Sequence, residues 1–277
     1  MINLNGELLF KENVNLSIDN RGFKYGDAIF ETIKVVNKKV VFWEDHYFRL
    51  MASMRMLRMK IPMEFTLEFL EKEILKTIAV IDDAPSYRVR LNVYRKDGGL
   101  YTPKTNKVDY SIEASKNTYV SKNEYKVDVF KDFYNYSGLL STVKTNNRML
   151  NTLASIYANE NDLDSCVLLN ERKGVVEVTN GNIFVVKGNV VKTPALSEGC
   201  IKGIVRGKII EILTKNKDFT IEETTISPFE IQKADEVFIT NAIVGVQAIT
   251  KYKKKTFTTS LATKLQANLN VLQIAGN

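Results

Sequence analysis

Histidine is almost missing from this chain: His46 is the single example in 277 residues. Ser-His-Asp hydrolysis, HExxH zinc chemistry and multi-histidine metal sites all need histidines in fixed roles, so these classes are excluded or cramped. The two cysteines, Cys166 and Cys200, lack metal-ligand spacing and read as buried thiols in a reducing compartment, not a bridge. No metal site is expected. Only five prolines occur, there is no low-complexity tail, and no segment is forced into disorder by its composition. No run approaches the roughly eighteen apolar residues of a membrane span, and Met1-Ile-Asn-Leu-Asn-Gly6 lacks a basic region followed by an apolar one. The expectation is a cytoplasmic protein with no membrane partner.

What is present is ordinary globular composition with a basic surplus, 39 Lys plus Arg against 32 Asp plus Glu, or +7. A nucleic-acid partner would call for a clustered basic face with interleaved aromatics. The basic residues are scattered instead, and the densest run, Lys251-Tyr-Lys-Lys-Lys255, reads as a solvated turn, so no nucleic-acid partner is expected. A non-catalytic anion-binding or nucleic-acid-binding protein is kept as a remote alternative.

The length accommodates two domains, expected at residues 1–120 and 121–277. The first reads as α+β. Leu8 to Phe10, the hairpin Phe30–Val36 and Val40–Trp43, and the strands Tyr87–Tyr94 and Val108–Glu113 form an antiparallel sheet. Helices run from Glu44 to Arg58 and, beyond Pro62, through Phe65, Leu70 and Ile74. His46 lies on the first helix with Leu50 and reads as structural. The second domain opens with a helix over about Asn147–Asn159. It continues through strands at Cys166–Leu169, Val175–Thr179, Ile183–Val186 and Val190–Thr193, then a loop entering a helix near Gly203.

Chemistry concentrates on Lys144, in Ser141-Thr-Val-Lys-Thr-Asn-Asn-Arg-Met-Leu150, and Glu177, in Val176-Glu-Val-Thr-Asn-Gly-Asn-Ile-Phe184. A lysine between an extended segment and a helix can be held rigid and partly desolvated, which favours its neutral amine and a Schiff base with an aldehyde. A carboxylate on a following strand can keep a pyridine nitrogen protonated and so make the ring an electron sink. Together they point to pyridoxal 5'-phosphate.

Four further landmarks join these two in order along the chain: Arg21-Gly-Phe-Lys-Tyr-Gly-Asp-Ala-Ile-Phe-Glu31, Trp43-Glu-Asp-His-Tyr-Phe-Arg-Leu50, Gly203-Ile-Val-Arg206 and Ala234-Asp-Glu-Val-Phe-Ile-Thr-Asn-Ala242. The set spans nearly the whole sequence. It resembles the class IV aminotransferases, the fold type IV pyridoxal phosphate enzymes that include branched-chain and D-amino acid aminotransferases and aminodeoxychorismate lyases. The resemblance implies an α+β two-domain fold, with an N-terminal antiparallel sheet and helices and a C-terminal pseudo-barrel α/β domain carrying the lysine. It also implies a homodimer acting on small-molecule amino acids and 2-oxo acids.

Carried over residue by residue, the resemblance makes Lys144 the Schiff-base lysine and the acid/base at the substrate α-carbon. Glu177 becomes the pyridinium partner and Arg49 a phosphate ligand. Backbone N–H groups of Ile204 and Val205 complete the phosphate site, with Thr240 and Asn241. Many relatives have threonine where Val205 stands, so only its amide can serve. Tyr25 and Phe30 fall where the family lines its pocket, and Arg90 is the candidate for the substrate carboxylate. Arg88 shares a strand face with Arg90 and is read as structural. Within the family, Phe30-Glu-Thr-Ile33 resembles the transaminases. Asn147-Arg148 and Thr240-Asn-Ala-Ile243 resemble the lyases, and the tyrosine common after the lysine in branched-chain enzymes is absent. Amino transfer between an amino acid, branched-chain or D among the options, and a 2-oxo acid leads. The lyase reaction giving 4-aminobenzoate and pyruvate is the alternative.

Overall fold

Period-two alternation in the first 118 residues produces six strands: β1 (Ile2–Leu4), β2 (Glu7–Leu9), β3 (Ala28–Val36), β4 (Lys39–Val40), β5 (Ser86–Arg95) and β6 (Val108–Lys116). They form one antiparallel sheet in the order β2-β1-β6-β5-β3-β4. Successive side chains on a strand face opposite ways. On β3 and β5 the odd-numbered residues Ile29, Ile33, Val35, Val89, Leu91 and Val93 are buried. The helix α1 (Arg21–Tyr25) precedes β3, and α2 (Trp43–Met56) and α3 (Leu67–Ile78) pack on the sheet, α2 on β3 and α3 on β6. Each buried Leu or Ile such as Leu50, Leu70 or Ile74 stabilises the fold by roughly 1.5–3 kcal/mol. Thr66 caps α3 by accepting the Phe69 N–H at 3.1 Å, which delays the helix to Leu67 although its apolar pattern starts at Phe65.

The computed structural model describes residues 1–275. They divide into two units, one of Met1–Thr118 with Lys144–Asn147 and one of Tyr119–Val143 with Arg148–Ala275. The sequence expectation put Lys144 in the second domain. Its four-residue segment packs instead with the first unit, because it pairs with an open edge of β3, as described below.

The second unit carries β7 (Lys126–Val129), α4 (Met149–Glu160), β8 (Ser165–Leu169), β9 (Val175–Val178), β10 (Asn182–Lys187) and β11 (Val190–Pro194). After these come α5 (Ile204–Lys215), β12 (Thr220–Thr224), α6 (Pro228–Lys233), β13 (Glu236–Asn241), β14 (Gly245–Ile249), β15 (Lys251–Tyr252), β16 (Lys255–Thr256) and α7 (Ser260–Ala275). The strands form two five-stranded sheets, β12-β11-β10-β13-β14 and β16-β15-β7-β8-β9. Their inner faces share one core that includes Val127, Val167, Val178, Ile183, Val237, Ile239 and Tyr252. On the outer side of β8, Cys166 and Leu168 pack with Phe130 and with Ala154 and Ala158 of α4. That double burial explains why β8 reads as a continuous apolar run and not an alternating one. Both cysteines are buried and unpaired. The lysine-rich run Lys251–Lys255 is a β15–β16 hairpin whose turn has Lys253 at φ 55°. Among the described residues no helix is long and apolar enough to cross a membrane.

Candidate active site

In the first unit, Lys144 is held by its backbone. The Phe30 N–H donates to the Lys144 carbonyl at 2.9 Å and the Asn146 N–H donates to the Ala28 carbonyl at 2.9 Å, around an antiparallel bridge between Ile29 and Thr145. The segment thus extends the sheet along the edge of β3 that the short β4 leaves open. Asn147 adds a second fixing point. Its Nδ2 donates to the Gly26 carbonyl at 3.3 Å, and Gly26 sits at φ 62° with no room for a Cβ, which would lie 2.2 Å from Asn147 Oδ1. A side chain at position 26 would have to displace the Asn147 side chain. This pinning also explains why α4 begins at Met149 and not at Asn147.

Lys144 Nζ lies 4.3 Å from the centroid of the Phe30 ring, and the Arg90 guanidinium carbon lies 3.7 Å from the same centroid. Two cations thus lie within cation–π distance of one aromatic ring. Arg90 Nε donates to Asn92 Oδ1 at 2.9 Å and Nη2 to Asn146 Oδ1 at 3.3 Å. Both partners are neutral amides, and burial lowers the Arg90 pKa from its ordinary value while arginine stays charged. Tyr25 has its ring 5.8 Å from that of Tyr101 and 4.9 Å from the Arg21 guanidinium.

Arg49 is bound through a residue that sequence reasoning passed over. Glu31 follows Phe30 on β3 and so faces the opposite side of the sheet, toward α2. There its Oε1 accepts from Arg49 Nε at 2.8 Å, and its Oε2 accepts from Arg49 Nη2 and contacts His46 Nδ1 at 2.7 Å. The signal was available: an acid at the parity of Ile29 and Ile33 must be buried and therefore paired. Burial alone would raise the Glu31 carboxyl, but the Arg49 charge and the His46 hydrogen bond bring it down to about 2. Burial also holds His46 below its ordinary value, against the pull of Glu31.

Both shifts make the protein acid-sensitive. A depressed carboxylate stabilises the fold above its unfolded value of 4.5 and loses that contribution as pH falls toward 2; a histidine kept neutral costs stability once pH drops below its unfolded value of 6.5. The melting temperature is expected to fall as pH is lowered from 7 to 4. Glu31→Gln, which breaks the buried pair, should cost about 3–5 kcal/mol at pH 7 and flatten the decline at the acid end. An equally steep decline in the variant would contradict the assignment.

In the second unit, Glu177 lies on β9 and is buried. Its Oε2 accepts the Ile201 N–H at 3.0 Å, and the Ile201 carbonyl accepts Asn182 Nδ2 at 2.8 Å. This chain of bonds fixes the loop that leads into α5. Arg148 shares the electrostatic environment of Glu177: burial lowers its pKa and the Glu177 charge opposes that shift. At the start of α5, Gly203 has no side-chain cap, and a Cβ there would meet Asn182 Oδ1 at 2.0 Å. The first-turn N–H groups of Ile204 and Val205 have no partner within the helix. Thr240 is the register partner of Asn182 across β10 and β13, so both side chains emerge on one face. Its Oγ1 is buried with no hydrogen-bond partner. Asn241 donates from Nδ2 to the Asn180 carbonyl and accepts at Oδ1 from the Ile243 and Val244 N–H groups, which holds the turn after β13.

These features fit pyridoxal phosphate. An orphaned buried hydroxyl beside a glycine-led helix start suits an anion, and a buried carboxylate suits a protonated ring nitrogen. Among the described residues no His, Cys, Asp or Glu cluster could hold a metal ion.

Comparison with known proteins agrees. The family model for amino-transferase class IV matches residues 28–252. A Methanocaldococcus jannaschii protein whose name places it among the branched-chain-amino-acid aminotransferases is 31% identical over 258 residues, covering 88% of this chain and 85% of the relative. An aminodeoxychorismate lyase of Vibrio harveyi is 27% identical over 271 residues, covering 92% and 96%. The crystal structure of the branched-chain aminotransferase of Thermoproteus uzoniensis with norvaline superimposes with a TM-score of 0.90 at 21% identity, over 100% of this chain and 95% of that one, which shows the shared fold. The chain therefore belongs to the class IV aminotransferase family and is a pyridoxal phosphate-dependent enzyme of the two-domain fold type IV class.

Proposed function

We propose that this enzyme transfers an amino group between an amino acid and a 2-oxo acid. The observation that carries this reading is the shared ring of Phe30, which brings a lysine amine and the carboxylate-binding guanidinium of Arg90 within 4.3 Å of one centroid. An amino acid presents an amine and a carboxylate on one carbon, and that pairing of groups suits it.

The bound pyridoxal phosphate supplies an aldehyde for covalent attachment and a ring that accepts electrons. Lys144 provides the amine for that attachment. With a substrate bound, the Lys144 Nζ would serve as the base that takes the proton from the substrate α-carbon and as the acid that returns it. Glu177 holds a proton at the ring nitrogen through its charge. The N–H groups of Ile204 and Val205, the Thr240 hydroxyl and the Arg49 charge anchor the phosphate, with Asn241 keeping the neighbouring turn in shape. Arg90 orients the substrate carboxylate, with Phe30 beneath and Tyr25 lining the pocket.

A homodimer is part of the proposal. Tyr136, Leu139, Leu140 and Met149 of the second unit are all more than 60% exposed, an apolar set that a second copy would cover. A monomer mass by light scattering would remove this part.

A second reading, the lyase that yields 4-aminobenzoate and pyruvate, is supported by the Vibrio harveyi relative and by Asn147-Arg148 after the lysine. Incubation with panels of L- and D-amino acids plus a 2-oxo acid, and separately with aminodeoxychorismate, discriminates the two. Amino transfer with at least one amino acid is the expected result; 4-aminobenzoate production without any amino transfer would reverse the assignment.

A further inference from the structure

The second unit buries another carboxylate close to Glu177 in the fold. Glu198, at the end of the short turn Leu196–Glu198 that follows β11, is only 5% exposed. Its Oε1 accepts from Thr225 Oγ1 at 2.8 Å, and its Oε2 accepts from Asn170 Nδ2 at 2.6 Å and Arg172 Nη2 at 3.2 Å. Burial alone would raise this carboxyl, but those hydrogen bonds and the Arg172 charge hold it below its ordinary value. It is therefore a charged acceptor at neutral pH, and such bonds are stronger than neutral ones. Stability alone does not call for a charge here, because an apolar side chain would fill the site without the cost of desolvating a carboxylate.

The partners of Glu198 lead straight to Glu177. Asn170 shapes the turn between β8 and β9: its Oδ1 accepts from the Arg172 and Gly174 N–H groups at 3.1 and 2.9 Å, and its own N–H donates to the Gly174 carbonyl at 2.9 Å. The same side chain grips the loop, since Asn170 Nδ2 also donates to the Glu198 carbonyl at 3.2 Å. The approach is close enough that a Cβ at Gly174 would lie 3.0 Å from Glu198 Oε2. Strand β9 starts at Val175 and carries Glu177. On the other side, the chain runs from Glu198 through Gly199, at φ 97°, and the buried Cys200 to Ile201, whose N–H donates to Glu177 Oε2 at 3.0 Å. Strand and loop are thus tied at two points, Asn170 with Glu198 and Glu177 with Ile201. Asn135 Nδ2 adds a bond to the Gly199 carbonyl at 2.9 Å between them.

We propose that Glu198 is a positioning residue: by clamping residues 198–201 to the β8–β9 turn through Asn170, it holds the Ile201 N–H on Glu177 and keeps that carboxylate aimed at the ring nitrogen. The assignment rests on the reading of Glu177 given above. Glu198 acts through Glu177, because its own oxygens are engaged by Thr225, Asn170 and Arg172. Opening the clamp frees the loop to move and leaves the Glu177 carboxylate with a mobile partner. Preorganisation of this kind depends on the groups behind the reacting ones as much as on those groups themselves.

The test uses the holoenzyme and its variants. Misplacing a catalytic group by about 1 Å costs on the order of 10²-fold, so Glu198→Ala should lower kcat at least about tenfold while KM changes little. Glu198→Gln, whose amide can accept from Asn170 and donate to Thr225 Oγ1, should recover most of the loss. In a Glu177→Gln background the same Glu198→Ala change should cost less than about threefold, because residues that act through one another are not additive. Hydrogen exchange at the Ile201 amide should be at least about tenfold faster in Glu198→Ala, as expected when a hydrogen bond to a charged group opens freely, and near native in Glu198→Gln. A merely structural residue would lower the melting temperature without these signs. Unchanged exchange at Ile201, or equal losses of kcat in both backgrounds, overturns the proposal. If Glu198→Ala is not recovered folded, Thr225→Val, which removes one donor to the same carboxylate, carries the same comparisons with smaller fold-changes. If Glu177→Gln leaves turnover unchanged, the reading of Glu177 fails by itself. The exchange rate at Ile201 still decides the clamp, and no change there overturns it.

Discussion

Lys144→Ala is expected to abolish the visible absorption band of the bound cofactor and to reduce turnover by at least about 10³-fold. In the proposed function two roles leave with one Nζ, the attachment point and the group that moves the α-proton, and general acid/base catalysis alone contributes about 10²–10⁴-fold. The substitution is informative because the backbone there needs no lysine. Lys144 is fixed through its carbonyl, which accepts from the Phe30 N–H, and through Asn146 and Asn147 beyond it. Alanine makes the same bonds, so a folded, soluble and colourless protein is expected. A variant that keeps its colour and more than a tenth of its activity would mean that another lysine carries the cofactor.

Glu177→Gln should separate anchoring from electronics. A carboxamide oxygen can still accept the Ile201 N–H, now bonded at 3.0 Å, so the loop into α5 and the phosphate site beside it should persist. Cofactor content is expected to remain near that of the native enzyme. The carboxamide carries no charge with which to keep a ring nitrogen protonated, and removing one preorganised electrostatic partner of this kind costs roughly 10²–10³-fold in kcat. Retained cofactor with turnover down about 10²-fold or more supports the role. Unchanged turnover would remove it.

Much of the architecture was legible because local patterns and tertiary burial agree. The helical spacing of Tyr47, Leu50, Met51 and Met54 is the spacing that α2 uses against β3, and the alternation of β3 and β5 matches one buried face. The glycine at 203 reads as a helix start, and the structure gives the physical reason: a Cβ would collide with Asn182. What escaped depends on register and long-range pairing. The Lys144 segment joins the first unit because β4 spans only Lys39–Val40 and leaves the edge of β3 free at Ala28–Phe30, which no local window reveals. Strand β1 is settled by its pairing with β6 more than a hundred residues later. Glu31 was visible as a residue but not as a hub, since its partners His46 and Arg49 lie on a helix 15 and 18 positions away.

The landmark motifs were readable for a different reason. They combine residue types with a definite chemical use, a lysine, a carboxylate and a glycine-led helix start, in one order along the chain. The neighbourhood of Phe30 is the least local feature of all, because it joins β3, β5 and the segment after residue 143.

The most direct test of the central claim is to reduce the purified holoenzyme with borohydride, digest it and locate the phosphopyridoxyl group by mass spectrometry. The expected result is a single modified peptide carrying the group on Lys144. Modification of a different lysine, or no covalent adduct in a protein that is coloured and active, would contradict it.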